Sequence, residues 1–382
     1  MLLLEHDAKD FMATADLPVA PGCLVSSARD IVDASLPPGP WIVKAQVPTG
    51  GRGKAGGIRR ANSRADLEQT VKALLQTTIR GHPVRECRIE QEVRADREAY
   101  LSFSINPEAA GIQILMSAMG GVEIESLHEH DKVVVSKTAS SLAHAREVAW
   151  ELASRQPENC RQQLSDAASR LAELFFSHEA TLLEINPLFL FDDRPDWIAG
   201  DAKMILDENA FVRQPLLREF VLRRSAAYPE TALKLTAGFD YVDIHRDGKV
   251  GMVTTGAGLS MMLIDELASR GIKALNFCDM RTGQMRGDPR RLIDILSRIR
   301  TGPNVRILLV NVFAGITDLG EFARLLVKAL EALPDLRIPI VARLTGNNFE
   351  EGRRELARID YPITLEPDLD AALALVRAEC GR

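Results

Sequence analysis

Lys44 closes the apolar run Trp41-Ile42-Val43, and shortly after it comes the loop Gly50-Gly51-Arg52-Gly53-Lys54-Ala55-Gly56-Gly57. Five glycines in eight residues let the main chain fold closely around a ligand. Their N–H groups, with Arg52 and Lys54, offer positive charge to phosphates. The loop is not a Walker P-loop. Pro48 stands where the first glycine of that motif belongs, and Ala55 stands where its hydroxyl residue belongs. By composition alone, a flexible surface loop reads the same way.

A second group of oxygen donors lies downstream. Leu182-Leu183-Glu184-Ile185-Asn186-Pro187-Leu188 and Trp197-Ile198-Ala199-Gly200-Asp201-Ala202-Lys203 read as two antiparallel strands joined by a polar turn at Asp192 to Asp196. Residues two apart on a strand share a face, so Glu184 and Asn186 point the same way and Asp201 could meet them from the partner strand. Hard oxygen ligands of this kind suit Mg²⁺ held jointly with nucleotide phosphates. An ordinary hairpin with its polar residues in water is the alternative, and the apolar neighbours weigh against it. His128-Glu129-His130-Asp131 resembles a metal tract but lacks a third partner at recognisable spacing, so it reads as a solvated loop. None of the seven histidines has the setting of a nucleophile.

The second half offers two glycine turns. In Val250-Gly251-Met252-Val253-Thr254-Thr255-Gly256-Ala257-Gly258-Leu259 a strand runs through glycines into a helix, whose N-terminal amides can hold an anion. Met261 replaces the third glycine of a dinucleotide fingerprint. Asn311-Val312-Phe313-Ala314-Gly315-Ile316-Thr317 follows another strand, and ligands of open α/β sheets sit at such carboxyl ends. By spacing alone both segments read as tight β-α turns.

The elements that must position these groups fall into two halves. Strands open near Lys249, Leu275, Val305, Ile338 and Ile363, at intervals of 26, 30, 33 and 25 residues, each followed by an amphipathic helix such as Leu319 to Leu333. That is the length of a β-α-β crossover, and it predicts a parallel sheet with helices on both faces. Arg306 to Val310 and Ile338 to Ala342 read as strands buried on both sides. The first 230 or so residues mix strands (Trp41 to Lys44, Cys87 to Val93) with helices (Ala61 to Thr77, Asn159 to Phe176), an α+β pattern. Turn signals between Arg223 and Gly248 divide the chain into domains expected at 1–235 and 240–382.

The chain has 382 residues, 46% hydrophobic and 26% charged, the composition of a folded globular protein. Lys and Arg number 47 against 53 Asp and Glu, a net −6 that gives no reason to grip nucleic acid. The cluster Arg281, Arg286, Arg290 and Arg291 reads as a solvated helix start. The five cysteines form no C-x-x-C pair, so neither a disulfide framework nor a zinc site is expected. No apolar stretch approaches a membrane span, and Met1-Leu2-Leu3-Leu4 stops at Glu5, short of a signal peptide. A cytoplasmic location without membrane or nucleic-acid partners is expected.

Taken together, the segments resemble the β subunit of succinyl-CoA synthetase, the ADP- or GDP-forming acid:CoA ligase family. The likeness covers nearly the whole chain. It runs through Glu5-His6-Asp7-Ala8-Lys9, Lys44-Ala45-Gln46-Val47 and the glycine loop, Gly120-Gly121-Val122-Glu123-Ile124-Glu125, Glu184 to Leu188, and Asp201-Ala202-Lys203. It continues through Gly256 to Leu259, Asn276-Phe277-Cys278-Asp279, Val310 to Phe313, and Arg343-Leu344-Thr345-Gly346-Asn347-Asn348. The resemblance implies an ATP-grasp N-terminal domain and a flavodoxin-like, doubly wound parallel C-terminal domain. It implies that Lys44, Gly51, Arg52, Gly53, Glu90 and Glu98 contact ATP or ADP, and that Asn186 and Asp201 hold Mg²⁺. Glu184 would face a phosphorylated histidine. That histidine would belong to a partner α subunit, in a heterodimer or heterotetramer, which also supplies most of the CoA site. Thr255, Gly315, Ile316 and Thr317 would meet a small carboxylic acid.

Three departures fall in the acid-binding half. Thr255 replaces the family's Asn before the Gly-Ala-Gly turn, Ala314 replaces a glycine after Asn-x-Phe, and Asp279-Met280-Arg281-Thr282-Gly283 replaces Asp-Val-Gly-Gly-Gly. The segment around His128 is also shorter than usual. These changes raise an acid other than succinate, such as malate, or a non-catalytic nucleotide-binding regulatory paralogue, as alternatives. Ala20, near the position of a polar gate in guanine-specific relatives, points to adenine nucleotides.

Overall fold

In the computed structural model the described residues are 1–121, 135–285 and 287–381, and they form two compact units, Met1–Leu217 and Arg218–Arg382. The boundary expected at 235–240 falls inside the second unit, because the helix Pro229–Ala237 packs on the strand Asp240–Asp243 that follows it. His128 to Asp131, Val122 to Glu125 and Arg286 lie outside the described residues.

The first unit opens with α1 (Glu5–Thr14), β1 (Gly22–Val25), a single-turn α2 (Asp30–Asp33), β2 (Trp41–Ala45), β3 (Ile58–Ala61) and α3 (Arg64–Leu75). A short hairpin of β4 (Thr78–Ile79) and β5 (His82–Pro83) leads to β6 (Cys87–Gln91). The four longer strands form an antiparallel sheet in the order β1-β6-β2-β3. Ser63 starts α3 by accepting the Asp66 N–H at 3.2 Å, which satisfies one of the open amides of the first turn. Leu67, Val71 and Leu74 then share one face and pack on Val43, Ala45 and Ile89 of the sheet. The helix is shorter than expected, because Ala61 still pairs with Trp41 at the end of β3.

The rest of this unit comprises β7 (Arg97–Asn106), β8 (Gly111–Ser117), β9 (Val135–Ala139), α4 (Leu142–Ser154), α5 (Arg161–Ser177), β10 (Ala180–Leu190), β11 (Trp197–Ala199) and β12 (Lys203–Leu206). They form an antiparallel sheet in the order β11-β10-β7-β8-β9, with β12 also on β10. The strand expected over Trp197 to Lys203 is therefore two strands. β11 ends with Ala199 opposite Leu188, and β12 begins with Lys203 opposite Glu184. Gly200, Asp201 and Ala202 between them face the stretch where the β10 ladder also shifts, between Ile185 and Leu188. A Cβ on Gly200 would lie 2.5 Å from the Phe189 ring and 2.8 Å from Pro187 O, so only glycine fits this crossing.

In sequence, α6 (Pro215–Arg223) spans the division. The second unit continues with α7 (Pro229–Ala237), β13 (Asp240–Asp243), β14 (Val250–Thr254), α8 (Ala257–Ser269), β15 (Asn276–Asp279), α9 (Arg290–Arg300) and β16 (Ile307–Asp318). It ends with α10 (Leu319–Glu331), β17 (Ile340–Asn347), α11 (Phe349–Leu356), β18 (Ile363–Leu365) and α12 (Leu369–Gly381). β14, β16, β17 and β18 are parallel neighbours in that order. Alternate strand residues go to opposite faces. Leu308 and Val310 join the core under α9 and α10, whereas Met252 and Leu309 join the one under α8 and α12.

β15 departs from the simple parallel ladder. Leu275 N–H donates to Val250 O and Met280 N–H to Thr254 O, but between them the Asn276 side chain takes over, exchanging hydrogen bonds of 2.9 Å with both Met252 N–H and Met252 O. On its other side β15 pairs antiparallel with β13. With β15 at the edge, the strand order is that of a doubly wound sheet. β16 also runs past the turn expected after Asn311, continuing to Asp318, whose carboxylate caps α10 by accepting the Glu321 N–H. No helix among the described residues is long and apolar enough to cross a membrane.

Candidate active site

In the first unit a cavity of about 470 Å³ is lined by Lys44, Gly51, Arg52, Gly53, Glu90, Glu98, Glu184, Asn186 and Asp201. These are all nine residues for which the resemblance implies a nucleotide, metal or histidine-facing role. Lys44 and Glu90 come from neighbouring strands β2 and β6. Glu98 is the second residue of β7, opposite Phe189 on β10. Glu184 and Asn186 come from β10, and Asp201 from the β11–β12 break.

Beneath the cavity lies a buried network of charges. Lys44 Nζ donates to Glu5 Oε1 at 2.8 Å, to Gly200 O at 2.6 Å and to Glu90. Arg52 Nη2 reaches Glu5 at 2.6 Å and both Asp201 oxygens at 2.8 and 3.0 Å, while its Nη1 donates to Ala45 O. Arg88 donates to Glu90 at 2.9 Å and to Ala20 O at 2.9 Å. Burial opposes charge on Glu5, yet Lys44, Lys9 and Arg52 outweigh it and hold its carboxyl well below the usual glutamate range. Glu90 is lowered against burial in the same way, chiefly by Lys44 and Lys9. Burial also opposes charge on Lys44, and Glu5, Glu90 and Asp201 reverse that to hold the ammonium above its ordinary value.

Asn186 Oδ1 accepts the Gly121 N–H at 2.6 Å, which ties β10 to the glycine pair after β8. Gly121 has φ +72°, and a Cβ there would meet Glu98 Oε2 at 2.4 Å. Asp201 accepts from Arg52 and from the Ala202 N–H and lines the cavity. Among the described residues no three His, Cys, Asp or Glu side chains cluster as a metal site. One carboxylate and one amide oxygen leave most of an octahedron to phosphate oxygens and water, the coordination that suits Mg²⁺ brought in by a nucleotide. The donor set therefore fits that ion. Ala20 is buried and is not among the described residues that line the cavity.

The four residues expected to meet the acid lie in the second unit, just after β14 and within β16. Thr255 is buried and its Oγ1 has no hydrogen-bond partner. Gly315 O accepts from Asn347 Nδ2 at 2.6 Å, and the Thr317 hydroxyl bonds that of Thr282 at 2.7 Å. Ile316 belongs to β16 beside them. Of the expected helix-start arginines, Arg290 and Arg291 open α9, with Arg291 donating to Met280 O and Arg281 O, whereas Arg281 precedes the helix and pairs with Asp240.

Sequence reasoning gave no role to Glu5, Lys9 or Arg88, three charged residues buried in the network. A signal for the first two was present. Glu5 and Lys9 are four apart on a helix face that also carries Ala8 and Met12, both fully buried.

A family model described as ATP-grasp domain matches residues 2–190, and one described as CoA-ligase matches residues 253–363. Succinate–CoA ligase (ADP-forming) subunit beta of Chloroflexus aggregans is 35% identical over 388 residues, covering 99% of both chains. The protein of that name from Chloroflexus aurantiacus is 35% identical over 391 residues, covering 99% of this chain and 100% of its own. Among solved structures, ATP citrate lyase from Methanothrix soehngenii with citrate and coenzyme A shares the fold with a TM-score of 0.75. Its identity is 19%, over 100% of this chain and 99% of that one. With relatives this similar end to end, and both domains in order, the chain belongs to the succinate–CoA ligase (ADP-forming) beta-subunit family.

Proposed function

We propose that the chain is the nucleotide-binding subunit of an acid:CoA ligase that works with a histidine-bearing α subunit. The observation that carries this is the convergence of nine residues from separate strands and loops on one cavity. ATP gives its γ-phosphoryl group to a ring nitrogen of the partner's histidine, and ADP leaves. The histidine passes the phosphoryl group to a carboxylate oxygen of the acid and returns to its free form. The CoA sulfur then attacks the acyl carbon and expels inorganic phosphate. Lys44, Arg52 and the loop amides bind and orient phosphate oxygens, which is most of what phosphoryl transfer asks of a protein. Asn186 and Asp201 hold Mg²⁺, which neutralises phosphate charge when bound. The Glu184 carboxylate holds the proton on one ring nitrogen, leaving the other to attack phosphorus.

A second reading concerns the acid. The Thr255 hydroxyl, buried without a partner just before α8, supports a substrate that presents one more polar group than succinate, such as malate. An Asn amide offers two N–H donors and a carbonyl, whereas Thr offers a single hydroxyl on a shorter stem.

Incubating the chain with its cognate α subunit and radiolabelled ATP tests the ligase reading. Alkali-stable label on the α subunit is expected, and Asp201→Ala should slow labelling on the order of tenfold or more. No label with any nucleotide would leave a non-catalytic regulatory subunit and sink the proposal.

A further inference from the structure

We infer that Lys9 is a positioning residue of the nucleotide site: it takes over the charge of Glu5 and Glu90 so that Lys44 is free to turn to phosphate. The inference rests on the reading of the cavity as a nucleotide site and says how that site is made ready.

An ammonium group has three N–H donors. In Lys44 all three are committed, to Glu5 Oε1, to Gly200 O and to Glu90 Oε1. Lys44 can therefore bind a phosphate oxygen only by giving up one of these acceptors. Releasing a buried carboxylate without a substitute cation is costly. Lys9 is that substitute. Its Nζ lies 2.8 Å from Glu5 Oε1, 2.8 Å from Glu90 Oε2 and 2.8 Å from Gly200 O, so it contacts the same three groups as Lys44.

The two lysines differ in what else they can reach. Lys44 lines the cavity, as do Glu5, Glu90 and Gly200. Lys9 is fully buried, on the far side of those groups, held by α1. It cannot touch a ligand in the cavity, so its effect passes through the groups it holds. Lys9, Lys44, Arg52 and Arg88 meet Glu5, Glu90 and Asp201 in one bonded set, four cations to three carboxylates. Within that set cations outnumber carboxylates by one, and removing Lys9 removes the difference at the groups that hold Lys44.

Titration calorimetry of the full chain with MgADP and with AMP tests this, using Lys9→Met and the charge-restoring pair Lys9→Met/Glu5→Gln. Lys9→Met should weaken MgADP by about tenfold or more and AMP by less than about threefold, because the loss scales with phosphate charge. The double variant should return MgADP to within about threefold of the parent. It also supplies a folded comparison if the single variant is too unstable to titrate. A pocket merely loosened by the substitution would lose both ligands equally and would not recover in the double variant; either result overturns the inference. Unchanged MgADP binding in Lys9→Met overturns it as well while leaving the nucleotide reading intact. Failure of the parent chain to bind MgADP or AMP would remove the nucleotide reading itself, and the inference with it.

Discussion

Glu5 and Glu90 stay charged although nearly all of each side chain is buried, and that makes them sensors of acid. Burial pushes both carboxyls up, but the surrounding lysines and arginines bring both below the ordinary glutamate value of 4.5. A group whose folded value is lowered binds fewer protons folded than unfolded just below its ordinary value, so stability falls as pH drops through that window. Their contribution should be complete above about pH 5 and lost progressively below about pH 4.5. Urea midpoints measured across this range should drop on the acid side, and the drop should be shallower in Glu5→Gln. An acid limb unchanged by that substitution would assign the sensitivity to other groups. At this scale the residue types were informative wherever the chemistry lies on a local motif: Lys44, Arg52, Asn186 and Asp201 could be picked out from their neighbours. Lys9 could be paired with Glu5, four residues before it, but not with Glu90 and Gly200, which are 81 and 191 residues away.

Helix α3 shows how far local rules carry at the next scale. Its cap at Ser63 and the face of Leu67, Val71 and Leu74 lie in a single stretch of sequence, and the helix forms there. Ser63→Ala removes the acceptor for the Asp66 N–H and should lower unfolding free energy by about 1 kcal/mol, with the urea slope unchanged. An unchanged midpoint would mean that water replaces the cap without cost. The β10 to β12 region behaved differently. Apolar pattern predicts one strand over Trp197 to Lys203, and nothing local says that it breaks. The break exists because β11 and β12 both pair with β10 while its ladder shifts near Asn186, and it is the break that aims Asp201 into the cavity. β15 was placed in sequence but not in the ladder, since a side chain, Asn276, supplies bonds that spacing assigns to main chain.

For the whole molecule, the proposed pair with an α subunit tests which acid is activated. A CoA-thioester screen of the pair over short mono- and dicarboxylates should give a substituted dicarboxylate such as malate a higher specificity constant than succinate, by about tenfold for a contact of 1–3 kcal/mol. Succinate as the best substrate would show that Thr255 is a neutral replacement. The sequence by itself determined the two-part organisation, the crossover spacing of the second unit and the glycine loop and strand segments that carry Lys44, Arg52, Glu184 and Asn186. Each of these is written in periodicity or in a contiguous motif. Only the tertiary structure decided that those residues meet in one cavity, that Lys44 is held there by Glu5, Glu90 and Gly200, and that Lys9 stands behind it. Apart from Glu5 and Lys9, four apart on α1, the contacts of the two lysines join positions from 39 to 191 residues apart. Side-chain charge acts through space at a few ångströms, and a linear pattern carries no record of which distant charges folding brings within that range.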